Sequence, residues 1–267
     1  MEGASFSHLQ AAKSLLMDLV SSTNSVPKKL MNFIVEFYLF NATLSMISMD
    51  VADRPHLDLQ LQQAGHSLVG EKYVGHMCGC WLSLLMLIPD IVDLKHQIDS
   101  QAGGPGQLPA NCVVAFAGLQ VKIAQYQPAA QVEQEVILSG KAYQQCMMLY
   151  LLTTLSVPGQ SAEGAHREAI ESAIYHALEH LKGIPLAARI NTTLLWPLTV
   201  LGSCITEDRL RNSIRARLRS MSETLGFATM RNTWNLLEHI WKEGRGDTGP
   251  WTMWRAMRER QVWLLFA

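Results

Sequence analysis

Charge is scarce in this 267-residue chain. Asp, Glu, Lys and Arg make up 17% of it, and 22 Lys+Arg nearly balance 23 Asp+Glu for a net −1. Bulk electrostatics therefore give it no general grip on nucleic acid or any other polyanion. Cysteine is sparse and odd in number: Cys78, Cys80, Cys112, Cys146 and Cys204. Four of them sit in apolar helical runs, which suits reduced, buried thiols of an intracellular protein rather than a disulfide frame. Strand signals are missing: there is no alternating β-branched run, no Asn-Gly hairpin and no Gly-rich strand-to-helix turn. The first 18 residues show no basic stretch leading into an apolar one, so no secretory signal is expected. A Gly-x-Ser-x-Gly elbow is absent. So is a Walker loop, because Gly103-Gly104-Pro105-Gly106 is not followed by Lys-Ser or Lys-Thr.

Hydrophobic residues, at 48%, are abundant enough for a sizeable core. They recur with helical periodicity almost throughout, which predicts an all-α fold of about ten helices in a single compact domain, residues 1–267. Helices are expected over Phe6–Val20, Val26–Ser48, Leu57–Val69, Lys72–Leu87, Asp90–Ser100, Asn111–Gln127, Ala129–Ser156 and Ala165–Lys182. The Val26–Ser48 helix is apolar on nearly all sides and should be central. Residues 101–110, with Gly-Gly-Pro-Gly and Leu-Pro, are the expected flexible loop. Tyr73–Val92 is apolar enough to raise a membrane span, but Gly75, Gly79 and Pro89 interrupt it. A buried core segment is the better reading, and no membrane contact is expected.

Few residues point to chemistry. His176-Ala177-Leu178-Glu179-His180 matches the H-x-x-E-H pattern of one zinc peptidase class, and His176 and His180 are one helical turn apart. Both lie well off the apolar face set by Ile170, Ala173, Ile174, Ala177, Leu178 and Leu181, and no downstream glutamate ligand can be nominated. Surface histidines are the expectation, and no metal or cofactor. Cys78-Gly79-Cys80 lacks the spacer a zinc pair needs. Arg211, Arg215 and Arg219 fall at i, i+4 and i+8 beside a seam of Leu210, Ile214, Leu218, Met221 and Leu225. A stripe that covers the core and pairs with acids fits better than a DNA-reading face, which lacks base-reading polar residues apart from Asn212.

The densest information lies from Thr193 to Phe266. Six of the seven Trp residues lie from Trp196 onward, and Trp is too large to leave exposed at that frequency. The order is Leu194-Leu195-Trp196-Pro197-Leu198, then Gly202-Ser203-Cys204, then an Arg-rich helix stopped by Gly226-Phe227. Trp234-Asn235-Leu236-Leu237-Glu238-His239-Ile240-Trp241 follows, and a last helix opens at Trp251 and runs to Phe266. This order resembles the C-terminal end of the fungal-specific transcription-factor domain, the regulatory region of fungal zinc-cluster transcription factors. Phe37–Phe40 and Gly75–Leu94 are similar, more weakly, to its earlier helices. The resemblance implies an all-helical regulatory domain in the nucleus, concerned with transcription and here with secondary metabolism. It would bind protein partners or a small-molecule effector in an internal pocket. The six-cysteine zinc cluster of such factors is absent from these residues, so direct sequence-specific DNA binding is not expected. The alternative is a helical-cavity enzyme or binding protein acting on a small metabolite, but no catalytic residue can be named. Trp196, Pro197, Gly202, Trp234, Trp241 and Trp251 are assigned to packing.

Overall fold

The computed structural model describes residues 4–21, 26–49, 57–101, 108–129, 131–156, 162–243, 249–261 and 264. Among them there is no strand, as the missing alternation predicts. In chain order the helices are α1 (Ala4–Ser21), α2 (Lys28–Leu44), α3 (Leu59–Gly70), α4 (Leu82–Leu85), α5 (Ile88–Gln101) and α6 (Ala110–Ala124). They continue with α7 (Gln134–Leu152), α8 (Gly164–Lys182), α9 (Leu195–Cys204), α10 (Asp208–Leu225), α11 (Ala228–Glu243) and α12 (Met253–Glu259). Residues 102–107 of the expected flexible loop lie outside the described residues; α5 ends at Gln101 and α6 begins at Ala110.

Two apolar helices organise the packing. Helix α7 is flanked by α6, α8 and α9, and α2 by α1, α3 and α5. Both are buried along most of their length, including Leu39, Phe40 and Leu44 on α2 and Tyr143, Met147 and Tyr150 on α7. The 3-10 turn Ser45–Ser48 extends α2. The Lys28–Ser48 stretch is long and apolar enough to cross a membrane, but 61% of its apolar window is buried inside the fold.

Helix ends follow local chemistry. Asp58 caps α3 by accepting from the Gln60 N–H. Pro89 falls in the first turn of α5, where its missing N–H costs nothing. Gly226 takes φ +71 and stops α10.

Three expected helices differ. Lys72–Leu87 is not one helix. Lys72 and Gly79 adopt positive φ, and the chain from Tyr73 to Cys80 wraps around a buried carboxylate before the short α4. The span raised for Tyr73–Val92 is thus broken into turns and short helices. The helix expected from Ala129 starts only at Gln134. Tyr126 instead turns its hydroxyl onto the Cys80 Sγ at 3.2 Å, and Gln144 of α7 caps the α6 carbonyl of Ile123 at 2.7 Å. The last helix is short: Gln261 takes φ +53, and Leu264 packs into the core with its carbonyl accepting from the Ser48 hydroxyl. That bond ties the end of the chain to α2.

Candidate functional site

The carboxyl-terminal helices are built around Trp196 and Gly202 of α9. Pro197 sits in the first turn of that helix, where proline is tolerated. Trp196 is fully buried; its ring stacks parallel to Tyr143 at 6.0 Å and meets Tyr150 edge-on at 5.5 Å. Trp81 stacks on Tyr143 at 4.6 Å, and Trp251 on Tyr150 at 4.3 Å. Five rings from α7, α9, the turn before α4 and the turn before α12 thus form one ladder through the core, in the offset and edge-on geometries aromatic quadrupoles favour.

The polar tips are unevenly served. The Tyr143 hydroxyl donates to the Thr193 carbonyl, and burial drives its pKa well up. The Trp251 N–H donates to the Tyr150 carbonyl at 3.2 Å and to the Thr153 hydroxyl at 3.1 Å. The buried indole N–H groups of Trp81 and Trp196 have no hydrogen-bond partner. That of Trp81 faces Tyr143 closely enough to favour its ionised form slightly, without hydrogen-bonding geometry.

Gly202 lets α11 close on α9: a Cβ there would lie 2.7 Å from the Leu237 Cδ1. The Trp241 N–H donates to the Gly202 carbonyl at 2.9 Å. Arg215 lies over the Trp241 ring at 4.7 Å and Arg219 over Trp234 at 5.0 Å. Arg215 also grips Glu238 through two N–H groups, and the Trp234 N–H donates to the same carboxylate at 3.0 Å. The hydrogen bond from Arg215, chiefly, holds the Glu238 pKa below the usual carboxylate range. Arg211 bonds the Ile205 carbonyl at 3.1 Å and Asp208 at 3.3 Å. All three arginines of the stripe are therefore engaged within the fold.

Two buried ionic groups hold the fold and were not singled out by sequence pattern. Arg217, only 8% exposed, donates to the carbonyls of Leu181 and Ile184 and to the Asn191 Oδ1 at 2.7 Å, joining α10 to the end of α8. Burial lowers its pKa. Its spacing gave a signal, because i+3 from Ile214 and i−4 from Met221 places it on the apolar face. Glu36, fully buried mid-α2, accepts from the backbone N–H groups of His76 (3.0 Å), Met77 (2.8 Å) and Cys78 (2.6 Å) and from the Tyr73 hydroxyl (3.1 Å). Desolvation first, then Glu36 itself, pushes the Tyr73 pKa up to about 12. A lone carboxylate on a helix apolar all round is the readable sign of such a cage.

His176 is exposed and lies edge-on to Tyr175, while His180 is half-buried with its pKa pushed down mainly by burial. Among the described residues they do not form part of a three-residue ligand group. Among the described residues the one group of three or more His, Cys, Asp or Glu close enough to share an ion is His239, Glu243 and Glu259.

Helix α6 is apolar on two faces. Cys112, Leu119 and Ile123 are buried against α5 and α7. The opposite face leaves Val114, Ala117, Gly118 and Val121 exposed at i, i+3, i+4 and i+7, with Val113 and Leu108 beside them. Val114 is 72% exposed.

A family model described as the fungal specific transcription factor domain matches residues 5–267. No curated protein and no solved structure matches the chain.

Proposed function

The chain belongs to the fungal specific transcription factor domain family, and from that premise we propose that it is a single regulatory domain acting in the nucleus by docking a protein partner. A regulatory role in transcription follows from the family. The observation that carries the docking reading is the exposed apolar face of α6. Val114 and Val121, each about one helical turn away, flank Gly118, where a Cβ would meet nothing within 4 Å. A partner helix can approach such a small-residue stripe closely and bury it. The partner is an amphipathic helix presenting an apolar face, because the exposed stripe itself carries no charge.

The interior supports regulation over catalysis. Glu36 and Arg217 have their polar atoms bonded to backbone and neighbouring side chains, which suits structural duty rather than proton transfer. The Arg211–Arg215–Arg219 stripe is turned to Trp rings and acids, which supports a domain that does not read DNA itself. The test is a reporter assay with this chain fused to an unrelated DNA-binding module. Val114→Glu with Val121→Glu should remove the domain's effect on transcription at unchanged abundance and melting temperature. Full retention of the effect would reject the α6 surface.

One observation favours a second reading, an internal effector. The orphaned indole N–H groups of Trp81 and Trp196 would be satisfied by a polar group of a small molecule seated against the ring ladder. Native mass spectrometry of the purified chain should then show a bound mass released by denaturation, and an unliganded mass from the native host would oppose it.

A further inference from the structure

The geometry points to a divalent transition-metal site formed by His239, Glu243 and Glu259, which we propose clips α12 to α11. His239 and Glu243 are i and i+4 on α11, so both side chains leave the same helix face. Glu259 arrives from the last turn of α12. The His239 Nε2 lies 3.4 Å from the Glu243 Oε1 and 3.9 Å from the Glu259 Oε2, and all three ligand atoms fall within 4.8 Å of one another. Zinc bonds of about 2.0–2.2 Å to nitrogen and oxygen in a tetrahedron place ligand atoms roughly 3.3–3.5 Å apart. The first pair already has that separation. The second needs only a small rotation of a partly exposed glutamate.

The independent observation is at the imidazole. The Nε2 of His239 is out of solvent contact and has no hydrogen-bond partner, yet it faces two carboxylates. The Nε2 and one oxygen of each carboxylate converge on one point, so a cation seated there would meet three ligand atoms at once. One imidazole nitrogen with two carboxylate oxygens suits zinc or another borderline divalent ion, and leaves a fourth position for water. The paired histidines of α8, whose spacing matches a metal-binding pattern, lack a comparable third ligand among the described residues. The new site comes from residues that are distant in sequence and meet only when the terminal helix docks.

The test is calorimetric titration of the intact chain with zinc chloride at neutral pH under a phosphine reductant. One saturable site is expected, weakened at least tenfold by His239→Ala and likewise by Glu259→Gln. Both variants should keep the wild-type circular dichroism in chelator. His176→Ala with His180→Ala should bind as the wild type does. Cobalt(II) in the same site should give a visible spectrum without thiolate charge-transfer bands, which separates it from adventitious binding at the five cysteines. Absence of a saturable site overturns the assignment, as does binding that survives both His239→Ala and Glu259→Gln.

Discussion

Replacing Gly75 with alanine should destabilise the protein by a few kcal/mol, although the same substitution at Gly118 should stabilise it. The backbone at Gly75 does not require the left-handed region, so alanine's smaller unfolded-state entropy alone would favour the native fold by about 0.4–1 kcal/mol. The steric effect opposes this and is larger. A Cβ at position 75 would lie 2.0 Å from the Glu36 Oε1 and 2.2 Å from its Cδ. Ordinary contact therefore requires the carboxylate to withdraw by more than an ångström, roughly the difference from van der Waals separation. Its hydrogen bonds to His76, Met77 and Cys78 measure 2.6–3.0 Å, so such a shift breaks most of them. The Cys78 donor is buried and those of His76 and Met77 are part-buried; a buried donor left unsatisfied costs about 1–3 kcal/mol, so losing two gives a net loss of roughly 1–5 kcal/mol after the entropic gain. Gly118→Ala is the matched control: it stands in an exposed helical position with nothing within 4 Å and should stabilise by about 0.5–1 kcal/mol. Urea unfolding followed by far-ultraviolet circular dichroism measures both. Equal stability of Gly75→Ala and wild type would refute the carboxylate cage.

The remaining predictions concern the carboxyl-terminal helices. Trp241→Ala should cost about 3–5 kcal/mol, a large core truncation that also strips the Gly202 carbonyl of its donor; an unchanged melting curve would contradict the packing described for α9 and α11. Arg217→Met should cost about 3 kcal/mol by leaving the Leu181 and Ile184 carbonyls and Asn191 short of a donor, and amide exchange at the end of α8 should accelerate. Glu238→Gln should lose about 1 kcal/mol at neutral pH, since the pair with Arg215 is partly exposed. The folded-state pKa of Glu238 is depressed, so its contribution is present above the unfolded value near 4.3 and fades as pH falls through the folded value. The gap between Glu238→Gln and wild type should therefore close in acid, and a gap that stays constant would exclude this linkage.

Much of the fold was legible because helical periodicity is a local signal. The seam of α10, its stop at Gly226 and the whole of α11 stand where the spacing of Leu, Ile and Trp puts them. The failures are non-local. Tyr73–Cys80 carries enough apolar residues for a helix, and only Glu36, some 40 residues earlier, pulls its N–H groups into a cage. Tyr126 likewise leaves the helical path for Cys80. The aromatic ladder could be anticipated in part from the clustering of Trp from position 196 onward, but not the fact that Trp81 and two tyrosines of α7 complete it. The α6 face was hidden for a different reason. Apolarity all round a helix normally means burial, so composition alone does not mark the face on which α6 keeps Val113, Val114 and Val121 exposed. His239 and Glu259 are 20 positions apart across a turn, so no local motif could have joined them.

A saturation mutational scan of the domain, fused to an unrelated DNA-binding module and sorted separately for reporter output and for abundance, tests the account most directly. Val113, Val114, Gly118 and Val121 should lose output at full abundance when replaced by charged residues, whereas Glu36, Trp196 and Trp241 should lose both together. Output-specific positions gathered instead on Arg211, Arg215 and Arg219, with α6 indifferent to charge, would contradict it.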